Sequence, residues 1–193
     1  MKKISYNSPV ILTFAILSLA VLGLAWLTNN KSNLAFFSVY SSSIKDWQAW
    51  VRLFGHVLGH ANMAHYTNNM LLLLMVGPIL EEKYGSLRML AMIAFTAVVT
   101  GLVHILISDT VLLGASGIVF MLILLSSVTN IRKGTLPLTL IFAVIIYIGK
   151  EIIAGVSLTD NTSQLAHIFG GICGVFLGVV TSNDKTDNKF ILD

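Results

Sequence analysis

Three short stretches of this chain carry side chains that can do chemistry. The first is Gly114-Ala115-Ser116-Gly117, a hydroxyl set among small residues. Glycines on both sides permit a tight turn and a close approach of backbone to a ligand. The run from Ile118 to Ser127 reads as a helix, so Ser116 stands near a helix N-terminus. There, free N–H groups and the positive end of the dipole favour an anion. Those are the requirements of a nucleophile beside an oxyanion hole. Small-residue clusters in membrane helices also serve plain packing, and this motif alone does not choose between the two.

The second stretch is Ala166-His167-Ile168-Phe169-Gly170, with glycines continuing at Gly174 and Gly178. Four-residue spacing puts those glycines on one face, where another helix can approach closely. A partner held there would lie against the turn carrying His167, an imidazole that serves either as a general base or as a structural hydrogen-bonding group. The third stretch holds His56, His60, His65 and Asn69. His65 and Asn69 are four apart, share a helical face, and can both donate to the negative oxygen of a tetrahedral intermediate. Metal ligation is the competing reading, but no thiol or carboxylate joins them and no His-Glu-x-x-His motif is present. No metal or cofactor is expected.

The acidic residues narrow the reaction class. Asp46, Glu81, Glu82, Asp109, Glu151, Asp160, Asp184, Asp187 and Asp193 all fall in expected loops, tails or span ends. None is placed to orient His167, which leaves a Ser-His dyad. An aspartyl protease of the membrane would need two aspartates inside spans, and a proton-coupled transporter would show buried carboxylates.

The elements that position these groups follow from composition. The chain has 193 residues, 55% apolar and 11% charged, with a mean hydropathy of +0.83. Soluble domains carry about 25% charged residues, so this chain cannot cover a water-facing surface. A disordered or nucleic-acid-binding protein is excluded despite the net charge of +3. A single cysteine, Cys173, excludes a disulfide framework and a Cys-rich metal site. The class is an all-α polytopic membrane protein forming one domain.

A span needs roughly 20 mainly apolar residues. Six candidates meet that: about 9–28, 64–80, 88–107, 113–131, 135–154 and 164–181. The first is read as an uncleaved anchor, because its apolar run has full spanning length. With the N-terminus inside, the inner segments hold Lys2, Lys3, Lys83, Arg88, Arg132, Lys133, Lys185 and Lys189, against Lys31, Lys45, Arg52 and Lys150 outside. That bias places both termini in the cytoplasm. Spans two, four and six then run outside to inside, and His65, Asn69, Ser116 and His167 lie in their first turns, at similar depth. His104, in the third span, reads as an interfacial or packing histidine. In the outer segment 29–63, Trp47, Trp50, Leu53 and Phe54 recur at helical spacing. That stripe fits a helix lying in the interface plane or a simple aromatic anchor.

Taken together, these residues resemble the rhomboid family of intramembrane serine proteases, over about residues 50 to 180. Gly114-Ala115-Ser116-Gly117 fits the family's Gly-x-Ser-Gly, and Ala166-His167-x2-Gly170-x3-Gly174 its last-helix pattern. His56, His60, His65 and Asn69 fit its histidine-rich second-span pattern. Gly77-x3-Glu81-x3-Gly85 resembles the segment closing that span, and Arg52 with Phe54 the first-loop motif. The resemblance implies a six-span bundle of the minimal bacterial type, in the bacterial cytoplasmic membrane, with its site open to the outer face. It implies Ser116 as nucleophile and His167 as base, with His65, Asn69 and the Ser116 N–H as oxyanion hole. Gly114, Gly117, His56, His60, Gly170, Gly174, Glu81 and Arg52 would support them. The outer segment would be a membrane-inserted loop and the fifth span a mobile gate. Where many members carry a tyrosine packed on the catalytic histidine, this chain has Phe120, and where many carry an arginine two after the glutamate it has Lys83. The implied substrates are membrane proteins cut near the outer end of a transmembrane helix. An inactive relative that binds membrane proteins, or a small transporter, are the alternatives.

Overall fold

The computed structural model describes residues 6–43, 45–128 and 161–182, together with Leu138, Ile141 and Ile145. Its elements are α1 (Pro9–Leu27), α2 (Lys31–Phe36), α3 (Trp47–Gly55), α4 (Met63–Tyr84), α5 (Ser86–Ile107), α6 (Ser116–Val128) and α7 (Asn161–Ser182). The only pairing of β type among the described residues is an isolated bridge, Val39 to Leu112. The architecture is therefore an all-helical bundle. Three described helices are long and apolar enough to cross a bilayer: α1, α5, and α7 over Gln164–Thr181. Helix α4 has 22 residues, but His65, Asn68 and Asn69 near its start and Glu81, Glu82 and Lys83 near its end dilute its hydropathy. Leu138, Ile141 and Ile145 are helical and exposed. The remainder of the expected fifth span, 135–154, lies outside the described residues.

Several expected boundaries shift: α4 runs on to Tyr84 rather than 80, and α7 begins at Asn161 rather than 164. Helix α6 starts at Ser116 rather than at 113, because Gly114 has φ +131°, outside the helical region. Pro9 opens α1, where its missing N–H leaves no intrahelical bond unmade. The flanking Ser8 gives no side-chain cap. Glu81 supplies one from another helix: its carboxylate oxygens accept from the N–H groups of Val10 and Ile11, each at 2.9 Å. Ser86 Oγ donates to the same carboxylate at 2.7 Å. This buried glutamate fastens the ends of α1, α4 and α5 together and compensates the α1 dipole.

Helix α6 is the hub. Ile118, Met121, Leu122 and Leu125 are fully enclosed, and the α4 and α5 side chains Leu73, Met89 and Ala97 pack into the same core. Hydroxyls on the spans bond back to their own helices: Thr96 to the Met92 carbonyl, Thr100 to Thr96, Ser127 to Ile123 and Thr181 to Leu177. That satisfies them where no water is at hand. Leu17, Leu71, Met75, Leu90, Leu106 and Phe176 point outward, which suits a surface solvated by lipid.

Candidate active site

The turn before α6 is held by polar ties from three directions. Val39 and Leu112 exchange both backbone hydrogen bonds at 2.9 Å, joining the outer segment to the stretch preceding Ser116. The Gly114 N–H donates to the His56 carbonyl at 2.9 Å. His104 Nε2 donates to the Thr110 carbonyl at 2.9 Å, since a carbonyl can only accept. The first N–H groups of a helix have no intrahelical acceptor, so the turn presents donors at Ser116. Helix α6 begins regular bonding with Val119 N–H to the Ala115 carbonyl, at 2.9 Å.

His65 and Asn69 face that turn from α4. A Cβ on Gly114 would stand 2.8 Å from both Cε1 and Nε2 of His65, and 3.9 Å from Asn69 Nδ2. Only glycine combines that space with φ +131°. The Asn69 amide is buried, and its Nδ2 has no hydrogen-bond partner among the described residues. A buried unpartnered donor is costly unless something completes it. Asn62 caps α4 by accepting from His65 N–H at 2.8 Å, which fixes where the His65 ring begins.

His167 approaches from α7. Helices α6 and α7 make the most extensive contact among the described elements, and glycine is the reason. A Cβ on Gly170 would fall onto the Gly117 carbonyl, with Gly117 Cα only 2.9 Å away. One turn on, a Cβ on Gly174 would strike the Met121 carbonyl and stand 3.0 Å from Leu125 N. A Cβ on Gly178 would stand 2.7 Å from Val128 Cγ1. The glycine stripe thus meets α6 backbone to backbone, as its spacing requires. Beside this seam the His167 ring packs on Phe120, with centroids 4.6 Å apart and planes tilted by 41°. Phe120 lies one turn below Ser116 on α6, so the imidazole sits over the turn that begins with the serine. Ser116 and His167 are both half-buried, and His65 lies within electrostatic range of His167.

His56 and His60 underpin the site from the outer segment. His56 Nδ1 lies 3.1 Å from the Leu53 carbonyl and its Nε2 lies 3.4 Å from Thr100 Oγ1. His60 Nδ1 donates to the Leu58 carbonyl at 3.1 Å, and the His60 ring meets His65 edge to face at 5.1 Å and Tyr66 at 5.5 Å. Asn33 Nδ2 donates to the His60 carbonyl at 3.2 Å. Burial pushes both imidazoles down to about 4, so both are neutral at pH 7. Arg52 is also buried; it bonds Asp46 at 2.8 Å and Ser42 Oγ at 2.9 Å, and lies over the Tyr40 ring at 4.5 Å. Its role is to hold the outer segment in shape. Glu81 stands apart from the site, at the opposite end of α4.

The aromatic stripe divides. Trp47, Trp50 and Phe54 are exposed, whereas Leu53 turns inward onto α5, where a Cβ on Gly101 would stand 2.9 Å from Leu53 Cδ1. His104 has more than a packing role, since it anchors Thr110 in the stretch leading to Ser116. No spacing in the sequence announces that bond, because it runs from a helix to the loop that follows it. Among the described residues no cluster of metal-ligating side chains is present.

Comparison with known proteins finds both a family and a relative. The family model described as Rhomboid domain matches residues 47–184, more than two thirds of the chain. The chain is also similar to Rhomboid protease GluP of Bacillus subtilis (strain 168), at 28% identity over 149 residues. That alignment covers 75% of this chain and 29% of the relative, so the chain spans less than a third of the relative's length.

Proposed function

The chain belongs to the rhomboid family, and from that premise we propose that it is an intramembrane serine protease working through Ser116 and His167. The observation that carries this reading is the seating of the His167 ring on Phe120, one turn below Ser116, beside the Gly170–Gly117 contact. In the proposed reaction Ser116 Oγ attacks a substrate carbonyl carbon and His167 takes the hydroxyl proton. The carbonyl oxygen, now negative, receives hydrogen bonds from His65, Asn69 and the Ser116 N–H. The unpartnered Asn69 Nδ2 and the shared approach of His65 and Asn69 to Gly114 support that assignment. Collapse expels the amine, which takes the proton from His167. A water then attacks the acyl-enzyme with His167 again as base, releasing the acid and restoring the serine. The chemistry calls on no cofactor.

The proposed substrates are membrane proteins cut near the outer end of a transmembrane helix. A helical substrate has its carbonyls in i→i−4 bonds, so it must unwind before attack, which favours helix-breaking or small residues near the cut. The proposed setting is a six-span bundle in a bacterial cytoplasmic membrane, both termini inside and the site open outward, following the basic-residue bias. Cleavage of a reconstituted single-span substrate tests the reading. Ser116→Ala and His167→Ala should each abolish cleavage with the helical fold intact. Undiminished cleavage by Ser116→Ala removes the reading, and a folded wild type that binds but never cuts points to an inactive relative.

A further inference from the structure

Helices α1 and α5 begin at the same end of the bundle and leave an apolar groove of about 440 Å³ between them. It runs along Val10, Thr13 and Leu17 on α1 and along Leu90 and Ala94 on α5, and is closed by Phe54 of α3. At its open end lies a polar cleft lined by Ser8, Glu81, Glu82 and Ser86, and Pro9 borders both spaces. The two are continuous along each helix. Pro9, Thr13 and Leu17 succeed one another at four-residue steps, as do Ser86, Leu90 and Ala94, so each set forms a single stripe.

The dimensions identify what fits. From Pro9 to Leu17, or from Ser86 to Ala97, the helices rise roughly 12–16 Å at 1.5 Å per residue. One leaflet of a bilayer core is about 15 Å deep, half of roughly 30 Å. The groove therefore begins at a membrane surface and ends against α3 near mid-bilayer. The cleft carries a negative charge that pairs with no cation among the described residues. Glu81 is committed to α1 and Ser86, but Glu82 is exposed and has no ion pair among the described residues. The Ser8 hydroxyl caps nothing.

We propose that this groove holds one acyl chain of a phospholipid whose primary-ammonium headgroup lies in the cleft beside Glu82. The acyl chain makes apolar contact with Leu17, Leu90 and Phe54, and the ammonium pairs with the exposed Glu82 carboxylate. Phe54 stands two residues before His56, whose carbonyl holds Gly114, so the bound lipid braces the segment beneath the candidate site. The binding itself does not depend on the reading of Ser116.

Native mass spectrometry of the full chain in detergent tests this, with dioleoyl phosphatidylethanolamine, phosphatidylcholine and phosphatidylglycerol offered at equal concentration. The expected result is one retained lipid, with the ethanolamine form favoured roughly two- to fivefold, the scale of an exposed ion pair. Glu82→Gln should erase that preference and leave retention in place. Ala94→Phe should fill the groove and displace the lipid, and Thr13→Phe does the same from an exposed rim position if the half-buried change impairs folding. Retention without headgroup preference in the wild type overturns the proposal, as does a preference that survives Glu82→Gln. Undiminished retention in the filled variants overturns it equally.

Discussion

The two sides of the candidate site are built by opposite means. The α6–α7 seam brings the helices that carry Ser116 and His167 together by removing side chains, so that backbone meets backbone at Gly117 and Gly170. The other side shapes the Gly114 turn by adding polar ties, from Val39 and His56 of the outer segment and from His104 of α5. A seam of that kind tolerates no added atom but contains little that titrates. A polar platform tolerates small changes one at a time, because its ties are several, yet its buried imidazoles respond to pH. The difference teaches that the relation between the proposed nucleophile and base is fixed by shape, while the turn beside them is fixed by hydrogen bonding.

Substitution in the seam should give the largest effect. Gly170→Val places a side chain on the Gly117 carbonyl, and overpacking of this kind costs about 1–3 kcal/mol or more. Both thermal unfolding and cleavage should show the loss; an active, stable variant would mean the two helices do not meet as described. On the donor side, Asn69→Ala should lower kcat by roughly 10²–10³ while the melting temperature stays close to wild type. Unchanged kcat would remove Asn69 from the oxyanion hole.

Gly114→Ala combines the His65 contact with an unfavourable φ, a cost of about 1–2 kcal/mol, or roughly tenfold in rate. If cleavage is unaffected, the turn is not part of the site. The platform should also loosen in acid. His56 and His60 are held down to about 4 by burial, so above pH 6.5 both folded and unfolded forms are neutral. Between 6.5 and 4 the unfolded chain takes up protons that the folded platform refuses, and stability falls. At pH 5.5 the loss is about 1.4 kcal/mol per imidazole. Hydrogen exchange at pH 5.5 and 7.5, corrected for intrinsic rate, should show faster opening at 55–60 than at 117–125. Equal acceleration in both would erase the contrast. The smallest effect belongs to His104→Leu, which deletes one of several ties and should slow cleavage about two- to tenfold, with His104→Gln partly restoring it. No rescue by glutamine would argue against the Thr110 bond as the cause.

The seam was the most legible part of the chain. Gly170, Gly174 and Gly178 recur at the helical period, and a glycine face has one physical use, close approach. Ser116 near a helix start was legible for the same local reason, although α6 begins later than hydropathy suggests because apolarity does not register the φ of Gly114. The platform's His56, His60 and Arg52 stand out in the sequence, but its ties do not. Val39 to Leu112, Gly114 to His56 and Asn33 to His60 join residues far apart in sequence, and no spacing rule reaches that far. Leu53 was grouped with Trp47, Trp50 and Phe54 because periodicity gives a face but not which edge of it meets α5.

The central claim is that His167 activates Ser116, and a fluorophosphonate probe tests it without any choice of substrate. The purified wild type should form a single covalent adduct at Ser116, and His167→Ala should retain its helical content but lose the adduct. Labelling at Ser116 that persists unchanged in His167→Ala, or a folded wild type that never labels, would contradict the account.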